Sequence, residues 1–279
     1  MERTSIRLGG VELNSTVMNA SGPHSAEKGE IYELSAQHAG ALVFKSCNIA
    51  GLEAPDNLKN RGVEHFAEIA RELGAGGKTI VGSVVGNTDE EIVKVAQALD
   101  RAGVKIIELN LADDYVQNSV APFATFDRLK ALVGRVRGEV EAVIAVKVPP
   151  RLQLEPRSVA DLFKLLHVGI AVCANDLPKD LEVDVKTGVA KGKKRALSQV
   201  HAFYNESEGL LDVVAVGGIN ADPTCTAFAP VRWAVQVGSA LIKEGAGALG
   251  RIDRELDGLL AENGKASVND IIGRIQFEG

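Results

Sequence analysis

The sequence predicts a TIM (β/α)8 barrel preceded by a short N-terminal β-hairpin, and three observations carry that expectation. Short apolar runs alternate with longer amphipathic stretches about eight times along 279 residues, a length at which barrels of ~250 residues fold around one core. The short runs are apolar throughout, as expected of parallel strands covered on both faces. The last two runs, Val213–Val216 and Ala234–Val237, each lead directly into a small glycine-bearing turn. In such barrels the loops after strands 7 and 8 form the usual phosphate site.

Taken in order, Ser5–Leu8 and Val11–Leu13 read as a hairpin turning at Gly9-Gly10. The eight barrel strands are predicted over Thr16–Ala20, Ala41–Lys45, Thr79–Val85, Lys105–Leu111, Ala142–Val148, Ile170–Ala174, Val213–Val216 and Ala234–Val237. Helices are predicted over roughly 26–37, 62–73, 88–102, 125–138, 157–167, 195–207, 222–229 and 246–262, where apolar residues recur every three or four positions. Asn87-Thr88-Asp89-Glu90 is a helix start, with capping residues followed by acids that complement the dipole. A doubly wound open sheet usually carries GxGxxG after its first strand, and Ala20-Ser21-Gly22-Pro23 is not that motif. Residues 1–279 read as one domain.

Composition narrows the partners. Hydrophobic residues are 46% and charged residues 24%, ordinary globular values. The net charge of −6 offers no broad basic surface to nucleic acid. Cys47, Cys173 and Cys225 are scattered and form no CxxC, against a disulfide framework or a structural zinc site. They fit a reducing compartment, so a cytoplasmic location is expected. The opening MERTSIRLGG lacks an apolar signal core, and no apolar run approaches the ~18 residues of a membrane span.

In a barrel, chemistry sits just beyond the strand ends. Gly217-Gly218 and Gly238-Ser239 let backbone N–H groups approach an anion closely, with a helix start adding its dipole. Lys45 closes the apolar strand ALVFK and Lys147 closes VIAVK. A lysine in that position is costly to desolvate unless an anion or acceptor pairs with it, or unless it snorkels to the rim. Two of them opposite a phosphate cradle point to an anionic small molecule.

Met18-Asn19-Ala20-Ser21-Gly22, Lys45-Ser46, Glu108-Leu109-Asn110-Leu111, Val146-Lys147-Val148-Pro149-Pro150, Gly217-Gly218-Ile219 and Val235-Gln236-Val237-Gly238-Ser239-Ala240 occur in that order. Together they resemble the dihydroorotate dehydrogenase family of FMN-dependent barrels, across almost the whole chain. The resemblance implies that the backbone of Ala20, Ser21 and Gly22 passes beside the flavin ring. It places Lys147 at the N1–C2 carbonyl edge and Lys45 and Ser46 on the flanks. Gly217-Gly218 and Gly238-Ser239 would hold the FMN phosphate. Asn19, Lys45 and Asn110 would contact substrate, with Asn110 also touching the cofactor and Lys45 assisting catalysis. Family members are often dimers, so a homodimer is expected.

The departures from the family pattern lie on the substrate side. The family's mobile loop, usually Ser-x-Pro-Asn, carries a cysteine or serine base. Here it reads Leu111-Ala112-Asp113-Asp114-Tyr115-Val116-Gln117-Asn118-Ser119, and Asp113 stands at the base position. A carboxylate can act as a carbon base when desolvation raises its pKa, and Asp114 adds like-charge repulsion; the bland alternative is a solvated acidic loop. Ser119 falls several residues late. The stretch Leu52–Asn60 is shortened, Val172-Cys173-Ala174 replaces Val-Asn-Ser, and a basic run, Thr187–Arg195, replaces a glycine-rich insert. That run either touches a phosphate or is a solvated turn. Cys47 reads as a small buried hydrophobe, His24 as a capping or surface residue, and Trp233 as core.

Three functional classes follow. The first is an FMN-dependent oxidoreductase that oxidises or reduces a CH–CH bond next to a carbonyl, in dihydroorotate or a related small molecule, with Asp113 as base. The second is a non-catalytic relative that keeps the barrel, with or without FMN, for binding or assembly. The third is an FMN-free barrel acting on a phosphorylated metabolite.

Overall fold

The computed structural model describes residues 2–53, 59–150, 152–174, 182–184, 189–191, 203, 207, 211–216, 234–272 and 276–277. The chain opens with the hairpin β1 (Ile6–Leu8) and β2 (Val11–Leu13), then runs β3 (Val17–Asn19), α1 (Lys28–Ser35), β4 (Leu42–Val43), α2 (Val63–Ala75), β5 (Ile80–Val84), α3 (Asp89–Arg101) and β6 (Ile106–Asn110). It continues through α4 (Asp114–Ser119), α5 (Phe126–Arg137), β7 (Val143–Val148), α6 (Pro156–Leu165), β8 (Ile170–Ala174), β9 (Glu182–Asp184) and β10 (Val189–Lys191). It ends with β11 (Asp212–Val216), β12 (Ala234–Val237), α7 (Ser239–Glu244), α8 (Gly247–Glu262) and β13 (Gln276–Phe277).

Eight parallel strands form one sheet in the spatial order β3-β12-β11-β8-β7-β6-β5-β4, so the first and last strands of the barrel are neighbours. This is the predicted TIM barrel, and the predicted hairpin is present as an antiparallel pair. The predicted helices near 195–207 and 222–229 fall almost wholly outside the described residues, as do Gly217, Gly218 and Trp233. The helices begin where their caps dictate. Thr88 accepts the Glu91 N–H, Thr125 accepts the Arg128 N–H, and Glu155 accepts two N–H groups at the start of α6. On the outside of the sheet Phe44 packs on Phe66 of α2, ring centroids 5.4 Å apart. Burying such a ring contributes about 1.5–3 kcal/mol.

Closure of the barrel falls on β3 and β4, and β4 is only two residues long. A backbone ladder is replaced there by one side chain. Asn19 Oδ1 accepts the Val43 N–H at 2.9 Å, and Asn19 Nδ2 donates to the Val43 carbonyl at 2.5 Å. Its second amide proton goes to the Ala20 carbonyl at 3.0 Å. The Gly40 N–H donates to the Val17 carbonyl at 2.8 Å. A Cβ on Gly40 would lie 1.9 Å from the Ser15 carbonyl oxygen, so only glycine fits this approach. Asn19, expected to contact substrate, is fully buried, and its amide bonds the seam.

The hairpin covers the opposite, N-terminal mouth. Gly9 and Gly10 take φ of 56° and 89°, which suits a two-residue type I′ turn. The Gly9 N–H donates to the Asp212 carboxylate at 2.5 Å. A separate small sheet pairs β9 with β10 antiparallel and β10 with β13 in parallel. Part of the basic run, Val189–Lys191, is thus strand and not turn; the rest of the run lies outside the described residues. No described helix is long and apolar enough to cross a membrane.

Asn19→Ala strands both Val43 peptide groups inside the seam. Each unsatisfied group costs about 1–3 kcal/mol, so urea denaturation of this variant should show a loss of about 2–4 kcal/mol. A loss below about 0.5 kcal/mol would mean that closure does not depend on this amide.

Candidate active site at the C-terminal mouth of the barrel

Successive side chains of a strand alternate in direction, so residues two apart share a face. On β6 this puts Glu108 and Asn110 together. Both meet polar side chains from neighbouring strands and turns inside the barrel. Lys147, on β7, donates to Glu108 Oε1 at 3.1 Å, to Ser21 Oγ at 3.1 Å and to Gln236 Oε1 at 3.4 Å. Gln236, on β12, donates from Nε2 to Glu108 Oε2 at 2.6 Å. Ser83, on β5, donates to Glu108 Oε1 at 3.1 Å and shares a 2.9 Å hydrogen bond with Ser46 Oγ. Asn110 Nδ2 completes the chain by donating to Ser46 Oγ at 2.9 Å.

The network is sealed from water. Glu108 is 0% exposed and Lys147 6%. Charges taken into a protein interior must be paired and hydrogen-bonded, because their desolvation costs several kcal/mol each. The 3.1 Å ion pair meets that requirement. Lys147 therefore does not snorkel; it is held inside the mouth, as one of the two sequence readings required.

Lys45 joins from the end of β4, 4% exposed. Its backbone N–H donates to the Ser25 carbonyl at 3.0 Å, which fixes the turn. Burial pulls its pKa below the usual lysine value, the Asp113 carboxylate pulls it back up, and Lys147 adds a smaller downward push. Asp113 thus belongs to the same electrostatic neighbourhood as both lysines. It is half-buried, and it also caps α4, accepting the Tyr115 N–H at 3.0 Å.

The segment that stands where the family has its mobile loop contains the short helix α4. Gln117 donates from its amide to the Leu111 carbonyl, and Arg128 Nε donates to the Val120 carbonyl at 3.0 Å. Arg128 also forms a two-pronged pair with Asp89 of α3. An Asp with a second acid behind it is a helix start signal in sequence, and it was readable there. A cleft of about 470 Å³ lies beside α4, lined by Ala112, Asp114, Gln117, Phe123, Pro149 and Pro150.

The turn Ala20-Ser21-Gly22 sits against β12. The Ala20 N–H donates to the Val237 carbonyl at 2.8 Å, and a Cβ on Gly238 would lie 3.8 Å from that of Ala20. Gly238 and Ser239 therefore adjoin this turn, with Gly238 as the start of α7 and no side-chain cap on it. Gly217 and Gly218 lie outside the described residues. Cys47 is fully buried and burial pushes its thiol pKa up, consistent with a packed small hydrophobe. The structure thus brings together Ser21, Lys45, Ser46, Asn110, Asp113 and Lys147, and it engages the Asn19 amide with Ala20 and Val43. It adds Glu108, Ser83 and Gln236, which sequence reasoning did not assign to the site. Their signal in sequence is a polar residue inside a mostly apolar strand.

A lysine held this way costs stability in the ligand-free protein. Lys45→Met should raise stability at neutral pH by about 1 kcal/mol or more. Because the folded pKa is lowered, the penalty is fully present below that value. It fades as pH rises through it towards the unfolded value near ~10.4. Denaturation curves across that range should show the gap between variant and wild type closing; a gap that is absent at neutral pH would contradict a desolvated Lys45.

A sequence model of the family described as dihydroorotate dehydrogenase matches residues 56–260. A protein of Streptococcus equi subsp. equi (strain 4047), provisionally designated dihydroorotate dehydrogenase A (fumarate), is 26% identical over 100% of both chains. The dihydroorotate dehydrogenase (fumarate) of Lachancea kluyveri is 26% identical, covering 92% of this chain and 93% of its own. Among solved structures, the ligand-free dihydroorotate dehydrogenase of Eimeria tenella superposes with a TM-score of 0.79 at 16% identity, over 98% of this chain and 92% of that one. Its complex with ferulenol gives a TM-score of 0.75 at 15% identity, over 98% and 89%. These solved structures share the fold, and the matching family model spans most of the sequence: the chain belongs to the dihydroorotate dehydrogenase family.

Proposed function

We propose that this protein is an FMN-dependent oxidoreductase that oxidises or reduces a CH–CH bond next to a carbonyl, in dihydroorotate or a related small molecule. The observation that carries the reading is the convergence of Ser21, Lys45, Ser46, Asn110 and Lys147 in one enclosed mouth. Cations and neutral donors of this kind fit a planar, polar ring system that gains negative charge on reduction. Family membership and the names of the relatives support the same class.

Ser21, Ser46, Asn110 and Lys147 would hold the flavin ring, with the backbone of Ala20 and Gly22 beside it. Gly238-Ser239 and Gly217-Gly218 would take the phosphate. When bound, FMN supplies a two-electron acceptor or donor. Lys147, already fixed by the network, would stabilise negative charge at the ring edge. Lys45 faces the anionic or carbonyl end of the substrate. Asp113 takes the proton from the substrate carbon; its capping bond to Tyr115 uses one carboxylate oxygen and leaves the other for this role.

Anaerobic mixing of the FMN-loaded protein with dihydroorotate tests the narrow form of the reading. Bleaching of the flavin band is expected, and Asp113→Asn should slow it by about 10²–10⁴-fold while FMN content is unchanged. Equal rates in the two proteins would remove Asp113 as the base.

A further inference from the structure

Glu108 has no role in the chemistry above, yet it is the most deeply placed charged group of the mouth. Its carboxylate takes three side-chain hydrogen bonds, from Lys147, Ser83 and Gln236. Lys147 in turn directs its three protons to Ser21, Glu108 and Gln236, the last at 3.4 Å being the longest. The position and the field of Lys147 are therefore both set by Glu108. A carboxylate 3.1 Å from an ammonium group in a sealed site cancels much of the potential that the ammonium projects outward.

We propose that Glu108 is a positioning residue: it holds Lys147 in place beside the flavin seat and, by partly neutralising that lysine, sets the reduction potential of the bound flavin. The proposal rests on the FMN reading above. A lysine alone would favour electrons on the ring strongly; the Glu108–Lys147 pair favours them less. Gln236 acts as the spacer, since one amide end touches each member of the pair.

The test is the midpoint potential of FMN-loaded wild type, Glu108→Gln, Gln236→Glu and the double exchange E108Q/Q236E, measured by dye-equilibrated reduction. Glu108→Gln should shift the flavin towards the reduced form by about tenfold or more, an increase of at least about 30 mV for a two-electron couple. Gln236→Glu places a second carboxyl group 2.6 Å from Glu108, so the two share one proton and the potential should stay close to wild type. The double exchange carries the negative charge to the other end of the same hydrogen bond and should return the potential close to wild type. A salt bridge that served only the fold would alter melting temperature and leave these potentials alone. An unchanged potential or a downward shift in Glu108→Gln would overturn the proposal with the FMN reading intact. If Glu108→Gln does not fold, Glu108→Asp, which draws the carboxylate back from Lys147, should raise the potential by a smaller step, and an unchanged or lower potential there overturns the proposal. Failure of the wild type to hold FMN would overturn both readings at once.

Discussion

The ion pair between Glu108 and Lys147 is the constraint on which the mouth of this barrel depends. Neither charge is tolerable alone at that depth, and removing one partner from such a pair typically costs about 3–5 kcal/mol. Together they organise their surroundings. Ser83 is drawn to Glu108, Ser21 to Lys147 and Gln236 to both charges, and Ser46 and Asn110 are carried along through Ser83. The result links β5, β6, β7 and β12 to the turns after β3 and β4. An apolar core of the same volume would hold the strands as well, so the polar network is better understood through what it presents at the mouth than through stability.

The two ends of the barrel have different tasks. At the N-terminal end, the hairpin is locked by Asp212 on the Gly9 N–H, and Gly40 closes the seam against Ser15 and Val17. Those contacts are backbone-directed and leave no group for a ligand. At the C-terminal end, Lys45, Lys147 and Asp113 face one another at some cost in stability. Asp113 stands between the two tasks. It starts α4, which Arg128 ties to α3 through Val120 and Asp89, and it contributes charge next to Lys45.

Much of this was legible in the sequence, for identifiable reasons. Strands buried on both faces read as apolar runs, and helix starts such as Thr88 sit at the boundary that their side chains create. A lysine closing an apolar strand stood out because its neighbours are all apolar. Glu108 and Gln236 do not stand out, since each sits within a run that otherwise reads as a mostly apolar, buried strand. Only the three-dimensional neighbourhood shows that the two meet. The seam role of Asn19 is hidden for the same reason: its partner, Val43, lies 24 residues away, and nothing local to Met18-Asn19-Ala20 signals a seam. The short helix α4 was hidden because the loop was compared with a family pattern, although Asp113-Asp114 carries its own start signal.

If the Glu108–Lys147 mouth is a flavin seat, the visible absorption spectrum of the protein after incubation with FMN and desalting shows it most directly. A retained flavin band near one per chain is the expected result. A colourless protein would contradict it, leaving a shared fold whose buried charges serve some other ligand.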